Sequence, residues 1–169
     1  KFGGMPYHPI GLDIPQNPNQ KPLDFIGQIN FEEVLSKLPM LAEVLPTQGI
    51  LQFFYDLEQS PWGCGVEDVG YWQTVFYPQP DITLHRPAKI LAASKEAQID
   101  FSLQYSLPDV EILNEYYTLT EDEEEAYLEF MDSDESSKHQ LLGYAWSIQG
   151  DPCLGAQTTA NQIFPDVDP

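Results

Sequence analysis

The sequence predicts an α+β fold dominated by mixed or antiparallel sheet. Three observations predict it: period-two apolar segments recur along the chain, strong helical patterns are few, and Gly and Pro punctuate the connections. With 169 residues the chain is long enough for one domain with a substantial core and too short for two comfortable ones.

The opening KFGGMPYHP is broken by glycine and proline, and IPQNPNQKP (14–22) is a turn-rich connector. LDFIGQINFEE (23–33) starts as a strand. Strict alternation puts Leu23, Phe25, Gly27, Ile29 and Phe31 on one face, and Asp24, Ile26, Gln28 and Asn30 on the other. A short helix is predicted over 31–37, ended by Pro39, and a second brief one over 40–45, ended by Pro46. GILQFFYD (49–56) is the clearest second strand, rich in aromatics and led by Gly49. A long glycine-containing loop, LEQSPWGCGVEDVGYW (57–72), precedes a third strand over 73–77 that Pro78 and Pro80 close.

QIDFSLQYSL (98–107) alternates Phe101, Leu103, Tyr105 and Leu107 against Asp100, Ser102, Gln104 and Ser106, the pattern of a half-buried strand. From 100 to 137 there is no Lys or Arg. Thr120 with Glu123 forms a capping-box pattern, so a helix is predicted over 121–131, with Ala126, Tyr127, Phe130 and Met131 as its apolar side. HQLLGYAWSIQGDP (139–152) returns to strand character, and the tail is irregular.

Composition limits function. With 27 acidic and 7 basic residues, the formal net charge of −20 disfavours nucleic acid and suits a basic protein, a polyamine or a hard cation, or serves only solubility. No run of about 20 apolar residues exists to span a membrane, and no signal peptide is visible. Cys64 and Cys153 do not make a disulfide framework, so the expectation is free thiols in the cytoplasm. The chain starts at Lys1 and reads as a processed or trimmed piece.

GGMPYHP, PLDFIGQINFEE, GILQFFYD and HQLLGYAWSIQGDP, in this order, resemble the YwqG-like family of uncharacterised bacterial proteins. The resemblance implies internal duplication. A first repeat would cover about 1–107, an acidic helical insertion about 108–137, and the start of a second repeat 138–169, so that the single domain is incomplete. It implies no activity and no catalytic residues.

No reaction is spelled out. His8, His85 and His139 stand apart at spacings that do not suit zinc, and DSDESSK (132–138) lacks the Gly and Glu of a calcium loop. Cys64 lies between glycines without a recognisable base, and phosphate-loop, dinucleotide and nucleophile-elbow motifs are absent. No cofactor or metal is therefore expected. Two readings stay open. One is a non-catalytic binding module that holds a basic protein, as toxin-neutralising proteins do, through an acidic face containing Glu121, Glu124 and Glu125 or through the aromatic loop from Trp62 to Trp72. The other is an enzyme of unrecognised type, its cleft lined by Gln28, Asn30 and Gln52 with Asp68 and His85 from the loops. The strand amides equally suit a sheet face on which they satisfy loop backbone groups.

Overall fold

The computed structural model of the chain describes residues 1–62, 66–81, 94–132 and 139–144. The fold is α+β: a three-stranded antiparallel sheet in the order β1-β2-β3 with a few short helices. The chain divides into two compact units, Lys1–Leu103 and Gln104–Pro169.

In the first unit β1 (Asp24–Asn30) runs straight into helix α1 (Phe31–Lys37), because Asn30 is both the last strand residue and the helix N-cap. Its side-chain oxygen accepts from the Glu32 amide at 3.0 Å, satisfying one of the orphan donors of the first turn. Glu32 and Glu33 in the first turn and Lys37 in the last complement the helix dipole. Pro39 follows, and the expected second helix is a 3₁₀ turn over Pro39–Glu43. The chain re-enters the sheet at Gly49, whose φ of +123° is costly for any residue with a Cβ. Strand β2 (Ile50–Tyr55) then pairs with β1, and after the loop β3 (Trp72–Tyr77) pairs with β2.

The pairing corrects the face assignment of β1. Phe25 opposes Phe54 while Gly27 opposes Phe53, so a bulge at Ile26 interrupts the alternation. Leu23 and Phe25 consequently pack with Phe54, and with Ile14 and Val75, on one side of the sheet. Ile29, Phe31 and Val34 form a separate cluster on the other, joined by Leu41, Leu45, Leu51, Phe53 and Phe101. Four of the five residues that strict alternation places together thus divide between two cores, one on each face, and Gly27 belongs to neither.

Outside β1 the N-terminal segment adds a strand-like rung. Phe2 bridges Gly27 on one side and Ala97 on the other, with Gly3 N–H donating to the Ile26 carbonyl at 2.8 Å. A Cβ on Gly27 would lie 2.9 Å from the Phe2 ring and 3.0 Å from the Lys1 carbonyl, so glycine permits this close approach.

One expected strand is not formed, and another falls mostly outside the described residues. Residues 98–107 carry no ladder, and Tyr105, placed on the buried face by the alternation, is 86% exposed. A half-buried strand needs a neighbour to complete its hydrogen bonds, and Ala97 alone bridges to Phe2. The described part of the last expected strand, 139–144, is a sequence of bends with Leu142 and Gly143 at positive φ; the rest lies outside the described residues.

The second unit contains helices α2 (Val110–Tyr116) and α3 (Glu121–Asp132). The capping box forms: Thr120 donates to Glu123 Oε2 from its backbone N–H at 2.9 Å and from its hydroxyl at 2.8 Å. These bonds, the backbone one foremost, hold the Glu123 carboxyl below its usual value. The apolar side of α3 is narrower than expected. Tyr127 and Met131 are half-buried, whereas Ala126 and Phe130 are exposed. Tyr127 donates its hydroxyl to the Pro108 carbonyl at 2.7 Å, and burial there raises its pKa.

Candidate functional site

The bulge brings two amides of the sheet together. Gln28 and Gln52 are directly opposed in the antiparallel ladder and share a face. Gln52, only 1% exposed, donates from Nε2 to the Tyr7 carbonyl at 2.7 Å and to Gln28 Oε1 at 3.1 Å. Gln28 Oε1 also accepts from the Tyr7 backbone N–H at 2.8 Å. The pair therefore grips both polar groups of one peptide residue in the N-terminal segment. The Tyr7 ring meets Tyr77 of β3 edge-on, with centroids 5.2 Å apart. Asn30, the third amide of the expected cleft wall, caps α1. Among the described residues no buried side-chain nitrogen or oxygen lacks a hydrogen-bond partner.

A second polar centre closes the connector before β1. Buried Asn17 accepts from the backbone N–H groups of Asn19 (2.9 Å) and Lys21 (3.0 Å), and donates to Asp56 Oδ2 at 2.6 Å. Asp56 Oδ1 accepts from the Gln59 amide at 2.8 Å. Burial pushes the Asp56 carboxyl up, but the Asn17 amide, the backbone donors of Gln59 and Glu58 and the charge of Lys21 outweigh it, and the group stays below its ordinary value.

On the opposite face a row crosses the sheet at the end where Asp56 begins the long loop. Asp24, Tyr55 and Trp72 are in register on β1, β2 and β3 and so point the same way. The Tyr55 hydroxyl donates to the Pro61 carbonyl at 2.6 Å, bringing the backbone leading into Trp62 to the tip of its ring. Trp62 is 88% exposed and Trp72 45%. Asp68 lies in the 3₁₀ turn Val66–Asp68 that leads into β3, its carbonyl accepting from the Tyr71 amide at 3.1 Å.

The structure thus unites Gln28 with Gln52, and Trp72 with the loop that carries Trp62, but on opposite faces of the sheet. His85, Cys64 and Cys153 lie outside the described residues, as does most of the 132–138 segment. Tyr55 and Asp24 belong to the aromatic row and were not singled out by sequence, because cross-strand register alone reveals them. In α3, Glu121 and Glu125 are exposed and Glu124 is half-buried. Among the described residues no group of three or more His, Cys, Asp or Glu could hold a metal ion, and no helix is long and apolar enough to cross a membrane.

Residues 1–164 match the model of a domain of unknown function, DUF1963. The chain belongs to that family. No match emerges among curated proteins or among solved structures. DUF1963 describes nearly the whole chain, both units included.

Proposed function

We propose that this DUF1963 chain is a non-catalytic module that captures a basic protein partner through its acidic surface, as toxin-neutralising proteins do. One observation carries the reading: 13 of the 27 acids fall between 100 and 137, where Lys and Arg are absent. The ion pairs Lys1–Glu96, Lys21–Glu58 and Lys37–Asp100 all belong to the first unit. The described residues of the second unit contain no Lys or Arg, and α3 presents Glu121 and Glu125 to solvent. Like charges this close in sequence repel one another, at a cost that a basic partner relieves. Nucleic acid is repelled by the same field.

The enzyme alternative draws its cleft from Gln28, Asn30 and Gln52, and their engagement with the Tyr7 backbone and the α1 cap weighs against it. The proposal places the protein in the reducing cytoplasm with free thiols. The YwqG-like resemblance adds that the chain is part of an internally duplicated protein.

The test is a capture experiment followed by kinetics. Replacing Glu121, Glu124 and Glu125 together by Gln slows association with the captured basic protein and leaves the fold intact. Unchanged association kinetics, or capture of no basic protein, refutes the reading.

A further inference from the structure

We infer that the row Asp24–Tyr55–Trp72, with Trp62 at its side, is the docking point for an arginine side chain of the basic partner. The inference rests on the proposed function and adds the chemistry of one contact on the first unit. Adjacent strands are about 4.8 Å apart, so the row spans roughly 10 Å, the reach of one extended arginine across two aromatic faces and a carboxylate.

The middle of the row is held in place by hydrogen bonds. Tyr55 is tied to Pro61 by its hydroxyl, and the turn before it is closed by Ser60 N–H on the Asp56 carbonyl at 2.8 Å and Gln59 N–H on Asp56 Oδ1 at 2.8 Å. Asp24 Oδ2 accepts from the Leu57 amide at 3.1 Å, which fixes the carboxylate beside Tyr55 while leaving it further acceptor capacity. The Tyr55 ring and the Asp24 carboxylate at the centre of the row are therefore already positioned, and a ligand there has little of either to order.

The charge around the row selects a cation. Glu58, Glu67 and Asp68 belong to the loop, and Lys21, whose ammonium reaches it, is already paired with Glu58 at 2.9 Å. Arginine suits the row better than lysine. Its planar guanidinium stacks on an indole face and presents paired donors to a carboxylate, whereas an ammonium is a compact, strongly hydrated point charge.

The test titrates the intact 169-residue chain with fluorescently labelled oligo-arginine and oligo-lysine peptides of equal length and reads anisotropy at about 0.15 M salt. The arginine peptide is expected to bind roughly three- to tenfold more tightly. Trp72→Ala and, separately, Trp62→Ala remove that preference and leave lysine-peptide binding unchanged. Trp62 is exposed, so its replacement keeps the test valid even where Trp72→Ala disturbs β3.

Equal affinity for the two peptides overturns the inference, as does a preference that survives both tryptophan substitutions. Sedimentation showing that Trp72→Ala dissociates a dimer also overturns it, since the row would then meet a second copy of the chain. Binding lost on replacing the α3 glutamates but untouched by the tryptophan changes overturns this contact while sparing the proposed function. Failure of both peptides to bind at low salt overturns the contact and the proposed function together.

Discussion

Gln52 is a buried amide whose energetic role follows from the partners it would strand. Replacing it with Ala leaves the Tyr7 carbonyl without its donor and opens a void beside Gln28, so Gln52→Ala should lower unfolding free energy by about 1–3 kcal/mol. Gln28→Ala should cost a similar amount, and the double variant less than the sum, because both amides serve one backbone residue. Urea unfolding of the three variants checks this, and a purely additive double variant contradicts the shared clamp. Asp56 adds a pH dependence. Its folded-state pKa is depressed, so the stability it supplies is complete above its unfolded value and is lost as pH falls below about 4. Melting temperature measured down that range should fall less steeply for Asp56→Asn than for the wild type. Sequence showed that Gln28 and Asn30 depart from the apolar pattern, but not what they bind. The Tyr7 backbone is distant in sequence, and the cap function of Asn30 depends on β1 passing into α1 without a loop.

At the scale of elements, local chemistry was legible and register was not. Pro39 and the acidic first turn delimit α1 over the span expected, and Thr120 with Glu123 marks the start of α3. The bulge at Ile26 left no sequence signal, since period two fits the segment either way, yet it decides which residues share a core. The 98–107 alternation is equally regular and forms no strand, because a half-buried pattern only becomes one when a partner edge is available. Among the described residues the three α-helices together are longer than the three strands, α2 and α3 lying in the acidic segment, while the sheet carries the two apolar clusters described in the first unit. Gly49 tests how tightly β2 is entered. A Cβ there would lie 2.6 Å from the Phe76 ring at a φ of +123°, so Gly49→Ala should destabilise by about 1–3 kcal/mol. A neutral result in thermal unfolding would mean that the turn relaxes away from β3.

Across the whole molecule the excess of acids is the property that sequence displays most openly. Three lysines of the first unit are used in local pairs. The second unit keeps its acids with no Lys or Arg among its described residues, and the first adds an aromatic row beside acidic turns. In the proposed function these features would attract and then hold a cation by different physics: long-range steering is screened beyond about 10 Å at 0.1 M salt, whereas contact with an indole face is not. The measurement that tests the account most directly is the association rate of the captured basic partner by stopped flow as salt is raised. The account predicts that the rate falls steeply with salt, and that replacing Glu121, Glu124 and Glu125 by Gln lowers the rate and flattens the dependence. A rate indifferent to both salt and those substitutions would contradict it, leaving the acidic surface as a means of staying in solution.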